Sequence, residues 1–110
     1  MDTETCIRNC IECHRLCLQV IAYLQSDGGP SAESPQIRLL IDCAEICRTC
    51  ADFMNRRSAL NAAVCGVCAD ICGSCARACE RLAGDELMRD CAEACRRSAQ
   101  SCREMSRVAA

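Results

Sequence analysis

Fifteen cysteines stand in this 110-residue chain, almost all at gaps of three and four residues. They form four runs: Cys6, Cys10, Cys13 and Cys17; Cys43, Cys47 and Cys50; Cys65, Cys68, Cys72, Cys75 and Cys79; and Cys91, Cys95 and Cys102. A thiol is a soft donor, a redox centre or a small hydrophobe, so composition alone admits metal binding, disulfide bonding, thiol catalysis or inert packing. Spacing separates these. A helix turns about 100° per residue, and steps of three and four return to one face. Each run is therefore a helix with a stripe of sulfur where leucine would ordinarily stand.

An inert core is a poor account of so many thiols, because cysteine fills space less well than leucine and oxidises. A disulfide framework is opposed by the odd count, by helical instead of irregular spacing, and by the poor bridging geometry of Cys-x-x-Cys within a helix. Thiol oxidoreductase chemistry needs one activated Cys-x-x-Cys pair near a helix start and leaves most of the sulfur unused. Zinc prefers knuckles that bring four sulfurs around one ion, and Zn²⁺ with four thiolates leaves a net charge of −2 in a dry interior. Cu(I) is soft, accepts two or three sulfurs and lets one thiolate bridge two ions. Metal and thiolate then balance near 1:1 and the array is neutral. That arithmetic gives a capacity on the order of 15 Cu(I) per chain.

The elements that must carry these stripes are readable. The first helix is expected over about 4–25, capped by Thr3 or Thr5. Residues 26–33 read as a loop, and Ser34-Pro35 as a cap followed by proline at the first helical position of a second helix, 35–56. A third helix, 58–82, is expected to start under Ser58, with Asn55 the other candidate break. Gly84 and Asp85 serve as stop and start for a fourth, 86–107. Short links predict one all-α domain over 1–110, an up-down-up-down antiparallel four-helix bundle with a cysteine-lined core. A fused second and third helix is the competing topology. Small residues beside the stripe (Ala44, Ala51, Gly66, Ala69, Gly73, Ala76, Ala92, Ala99) are expected to let helices approach closely.

Composition agrees with a core completed by sulfur. Leu, Ile, Val and Phe together number twenty, with one Tyr and no Trp. All thirteen basic residues are arginine against fifteen acids, for a net charge of −2. No basic patch with interleaved aromatics suggests nucleic acid. Most charges fall in helical neighbour pairs (Glu4–Arg8, Arg8–Glu12, Arg38–Asp42, Arg48–Asp52, Asp52–Arg56, Arg89–Glu93) typical of solvated faces. No segment reads as an apolar membrane span, and Met1–Thr5 is acidic with no export pattern. The expectation is a cytoplasmic protein with reduced thiols and no membrane partner.

On these motifs, Cys-x3-Cys-x2-Cys-x3-Cys in the first helix and the opposite phase in the third, the chain resembles the bacterial copper storage proteins, specifically their cytosolic branch. The resemblance spans essentially the whole chain. It implies a bundle storing many Cu(I) ions as thiolate clusters, no catalysis, and assembly into a homo-oligomer, commonly a tetramer. A zinc or general metal buffer is the alternative. Ser98 and Met54 depart from the stripe where cysteine would continue it.

Antiparallel packing gathers Cys6, Met54, Asn61, Cys65, Cys102 and Met105 at one end, an expected copper entrance, with Met54 and Met105 either thioether ligands or gap-filling core residues. Ile21, Leu24, Leu39, Leu40, Leu82, Leu87 and Met88 form an expected aliphatic plug at the other. His14, one residue past Cys13, is a candidate ligand or an interface hydrogen bonder. Ile7, Ile11, Leu18, Leu60, Val64, Val67 and Ile71 lie off the stripe, as bundle seams or as an oligomer surface.

Overall fold

A computed structural model describes residues 2–26, 34–82 and 85–107. They form α1 Thr3–Ser26, α2 Pro35–Asn55, α3 Asn61–Arg81 and α4 Glu86–Ser106. The expected loop at 27–33 and the expected stop at Gly84 lie outside the described residues, while Ser26 is the last residue of α1. Each helix packs against two others, in the ring α1–α2–α3–α4–α1. That is the antiparallel bundle, with α2 and α3 as separate helices.

The starts of the helices follow from local hydrogen bonding. Ser34 caps α2 by accepting from the Ile37 amide at 3.1 Å, with Pro35 at the first position. Asp85 caps α4 by accepting from the Met88 amide at 3.1 Å. At α1 the cap is Asp2, which accepts from the Thr5 amide at 2.7 Å, so the threonines expected there lie inside the helix. A carboxylate serves a helix N-terminus at least as well as a hydroxyl.

The α2–α3 link differs most from expectation. Arg57 and Ser58 amides donate back to Met54 and Phe53 carbonyls at 3.1 and 3.0 Å, with Arg57 at φ 55. This double closure is the Schellman arrangement, which usually places glycine in the left-handed position. Ser58 does not cap α3. Its hydroxyl accepts from the Leu60 amide at 3.0 Å, and α3 begins at Asn61 behind Leu60, which makes no side-chain cap.

Sulfur and alanine fill the interior. Ala44, Ala51, Ala69, Ala76 and Ala92 are buried beside the stripe, as close helix approach requires, and Ala99 packs against the core partly buried. The glycines do not share this role. A Cβ on Gly66 would meet Ser106 Cβ at 3.8 Å, and one on Gly73 would meet only the Arg77 guanidinium of its own helix, at 3.6 Å. Both sites have room for a methyl group.

The charged pairs seen join different partners from several of those expected. Glu93 takes Arg97 at 2.8 Å and Glu12 takes Arg15. Asp70–Arg103 and Glu80–Arg96 tie α3 to α4. By length and composition α3 is long and apolar enough to cross a membrane, contrary to the sequence expectation. Five of its apolar residues are cysteines buried in the bundle, so its apolarity serves the core.

Candidate metal centre

The heptad-like alternation of three and four turns every thiol inward. All fifteen cysteines have no solvent exposure, and none forms a disulfide. Beginning where α1 and α3 start and α2 and α4 finish, Cys6 and Cys102 approach to 3.7 Å, Cys50 and Cys65 to 3.4 Å, and Cys10 and Cys102 to 3.5 Å. Cys10, Cys50, Cys68 and Cys102, one from each helix, bring their sulfurs within 4.8 Å of one another.

Deeper in, Cys13, Cys43, Cys47 and Cys72 form a second such group, and Cys13, Cys17, Cys43 and Cys95 a third. Their closest contacts are Cys47–Cys72 at 3.4 Å and Cys13–Cys95 at 3.5 Å. Cys91 completes the file, 3.9 Å from both Cys17 and Cys79. Sulfurs from all four helices thus converge on one axis at van der Waals contact, a spacing at which neighbouring thiolates can bridge shared ions.

Among the described residues, the buried polar side chains are Ser98 and Ser101, and none of the buried residues carries a positive charge. Each sulfur's acidity is set by the others. The thiol of Cys10 is held below the ordinary range chiefly by the hydrogen bond from Cys102, and those of Cys72 and Cys95 chiefly by Cys13. Cys75 is lowered to about 6, chiefly by Cys17. Cys43 is pushed up through Cys13, Cys68 and Cys102 through Cys10, and burial adds to each. An array that shares its protons internally admits a monovalent cation most readily in exchange for a proton.

Ser98 lies inside this array. Its Oγ is 3.4 Å from Cys72 Sγ, 3.6 Å from Cys10, 3.7 Å from Cys47 and 4.0 Å from Cys102. Ser101 is buried next to it, donating to the Ser98 carbonyl at 3.3 Å and accepting from Asn9 Nδ2 at 3.2 Å. Sequence reasoning missed the Ser101–Asn9 pair. The available signal was a hydroxyl immediately before Cys102 and an amide immediately before Cys10, on the flanks of stripes that must meet.

The remaining candidates separate by place. Met54 is 2% exposed and continues the stripe of α2. It lines a depression of about 420 Å³ with Thr3, Glu4, Ile7, Asn55, Arg57 and Asn61. Asn61 Oδ1 is buried without a hydrogen-bond partner, and Met105 packs against the core partly buried. His14 stands apart from the four-thiol groups. Its Nδ1 donates to the Ala44 carbonyl at 2.7 Å, and the ring lines a groove between α1 and α2 with Leu18, Ile21, Ile41 and Ala44. The contact with Ala44 is the interface hydrogen bond expected as one of the two roles of His14.

At the opposite end, Leu40 and Met88 are buried, and Ile21, Leu24, Leu39 and Leu87 pack against the core. Leu82 is 44% exposed and lies outside the plug, because α3 ends at Arg81. Val20 and Ile37, absent from the expected set, have no exposure. Both follow the same register, three residues beyond Cys17 and three before Leu40. Off the stripe, Ile7, Val64 and Ile71 seal seams, whereas Ile11, Leu18, Leu60 and Val67 are 45–62% exposed.

Comparison with known proteins yields consistent results. The family model for copper storage proteins matches residues 1–107. An uncharacterised cysteine-rich protein of Bacillus subtilis, YhjQ, is 33% identical over 94% of this chain and 95% of its own length. The solved structure of the Nmul_A1745 protein from Nitrosospira multiformis is 39% identical with a TM-score of 0.84, covering 94% of each chain. That of Cu(I)-bound copper storage protein BsCsp3 is 32% identical with a TM-score of 0.87, covering 94% of this chain and 97% of the other. The metal-free form of copper storage protein 3 from Bacillus subtilis is 32% identical with a TM-score of 0.83, covering 96% and 99%.

Proposed function

This chain belongs to the copper storage protein family, and we propose that it stores and buffers multiple Cu(I) ions in the cytoplasm as thiolate clusters, about one ion per cysteine. The observation that carries this is the full burial of fifteen reduced thiols in contact across all four helices. Each Cu⁺ replaces a thiol proton, and the neutral product suits a core without counter-charges. All fifteen cysteines act as ligands. Nothing in this role requires catalysis, and the protein is not an enzyme.

Copper is taken up at the Met54 end. Met54 lines the depression and belongs to the buried cluster that contains the thiols, and the unpaired Asn61 oxygen offers a cation a weak first ligand. Met54 and Met105 act as thioether ligands during uptake. His14 is committed at Nδ1 to Ala44, which leaves Nε2 as its one donor for metal, in the outer groove. The exposed Ile11, Leu18 and Ile41 support a homo-oligomer, a tetramer by family membership, with neither nucleic acid nor membrane as partner.

The second reading is a zinc buffer, favoured by the three four-thiol groups, each small enough to surround one tetrahedral ion. Two of those groups share Cys13 and Cys43, so zinc would leave much of the file empty. Anaerobic titration of the reduced protein decides. Saturation at about one Cu(I) per thiol, with few Zn²⁺ bound, is expected. Saturation near one or two coppers per chain would refute the storage reading.

A further inference from the structure

The sulfur file is interrupted at Ser98 on α4 and packs closest across that level at Cys68 on α3, while Cys10 of the outer group also interacts with Cys47. Toward the mouth lie Cys6, Cys10, Cys50, Cys65, Cys68 and Cys102; the deeper sulfurs are Cys13, Cys17, Cys43, Cys47, Cys72, Cys75, Cys79, Cys91 and Cys95. The two inner four-thiol groups share Cys13 and Cys43 with each other and no sulfur with the outer group. On α4 the stripe skips from Cys102 to Cys95, about 10 Å of helix rise, and the position between them is Ser98. Its oxygen occupies the space shared by Cys10, Cys102, Cys47 and Cys72. A neutral hydroxyl is a hard, weak ligand that does not bridge Cu(I).

Cys68 spans the same gap from α3. It belongs to the outer group with Cys10, Cys50 and Cys102, and its sulfur is also 3.9 Å from Cys47 and 3.8 Å from Cys72. We propose that Cys68 is the relay through which copper passes from the outer to the inner sulfurs, and that Ser98 confines the traffic to that side. The inference rests on the storage reading and on uptake at the Met54 end.

Transfer is ligand exchange without electron movement. A Cu–S bond to Cys68 forms as one to Cys10, Cys50 or Cys102 breaks, and Cys47 or Cys72 then displaces the outer ligand. A thiol that becomes a ligand gives up its proton, and the thiol released takes one back. The metal remains Cu(I) throughout. Such exchange needs the incoming sulfur in contact before the outgoing one lets go, a condition Cys68 meets and Ser98 does not.

The test is anaerobic loading of the reduced full chain with Cu(I) supplied in acetonitrile-containing buffer. Thiolate-to-copper absorbance is followed by stopped flow, and copper number by native mass spectrometry. Wild type and Gly73→Ala, a change outside the sulfur file at a site with room for a methyl group, are expected to fill completely at similar rates. Cys68→Ser is expected to fill its outer sulfurs normally and its inner ones about tenfold slower or more. Adding Ser98→Cys to Cys68→Ser should restore the rate, since a sulfur at 98 would contact both sets; a general folding defect would not be rescued this way. Inner filling by Cys68→Ser at the wild-type rate, or a double variant as slow as Cys68→Ser, overturns the relay. Full capacity with unaltered kinetics removes only the relay, whereas saturation of the wild type near one or two coppers removes the storage reading beneath it.

Discussion

At one end of the bundle the inward stripe stays sulfur almost to the helix termini, through Cys6, Cys65 and Cys102, under the thioether of Met54. At the other, the same register passes to Val20, Ile37, Leu40 and Met88, all buried. The geometry is one; the residue type changes along it. The two ends also leave different groups unsatisfied. Near the mouth it is an acceptor, Asn61 Oδ1; near the plug it is a donor, Gln36 Nε2. An unpaired acceptor draws a cation and an unpaired donor does not. The contrast teaches that cohesion and cargo are divided along the axis, with the aliphatic end holding the helices together and the sulfur end left free to exchange protons for metal.

The sharpest way to break this comparison is Leu40→Ala. Leu40 is 1% exposed within the core cluster, and its truncation should lower the unfolding free energy of the copper-free protein by about 2–5 kcal/mol. Copper capacity should be unchanged. Urea denaturation under reductant and Cu(I) titration read the two quantities separately; a fall in both would mean that the ends are not independent. At the mouth the reverse outcome is expected. Replacing Met54 and Met105 together with leucine conserves volume and should alter stability by less than about 1.5 kcal/mol, while stopped-flow copper uptake slows several-fold. Unaltered uptake would remove the thioethers from the entrance.

The smallest effect concerns the turn beside the mouth. Arg57 holds a left-handed conformation at φ 55 that costs an L-residue with a side chain about 1–2 kcal/mol. Arg57→Gly should relieve this strain, partly offset by glycine's greater freedom when unfolded, for a net gain of about 0.5–1 kcal/mol by chemical denaturation. A loss of stability would show that the guanidinium contributes more than the strain removes.

Most of this molecule is legible in the cysteine stripe. Period and residue type predict four helices, their antiparallel order and an interior of sulfur, because a one-face repeat has few ways to be buried. The same register, extended three residues past Cys17 and before Leu40, already contains Val20 and Ile37. The turn after α2 is not legible. Its closure uses backbone hydrogen bonds and a left-handed arginine where glycine would have announced it, so Ser58 resembles a cap in sequence and is not one in the fold. Nor does periodicity divide Ile7, Val64 and Ile71 from Ile11, Leu18 and Val67. These differ by less than a turn around the helix, and how far each is covered depends on the angle of the neighbouring helix. Ser98 is visible as a gap in the stripe, but its contact with four sulfurs belongs to three-dimensional packing alone.

A core whose buried polar side chains are two serines has a consequence for how a full molecule differs from an empty one. Where a protonated thiol binds one Cu⁺ and releases one H⁺, the formal net charge of −2 does not change on loading. At those sites the isoelectric point and electrophoretic mobility carry no record of the contents, whereas a thiol held below the ordinary range, such as Cys75, gains positive charge as it loads. Any cellular partner that distinguishes laden from vacant bundles must sense that small difference in charge, or mass, stiffness or the shape of the open end.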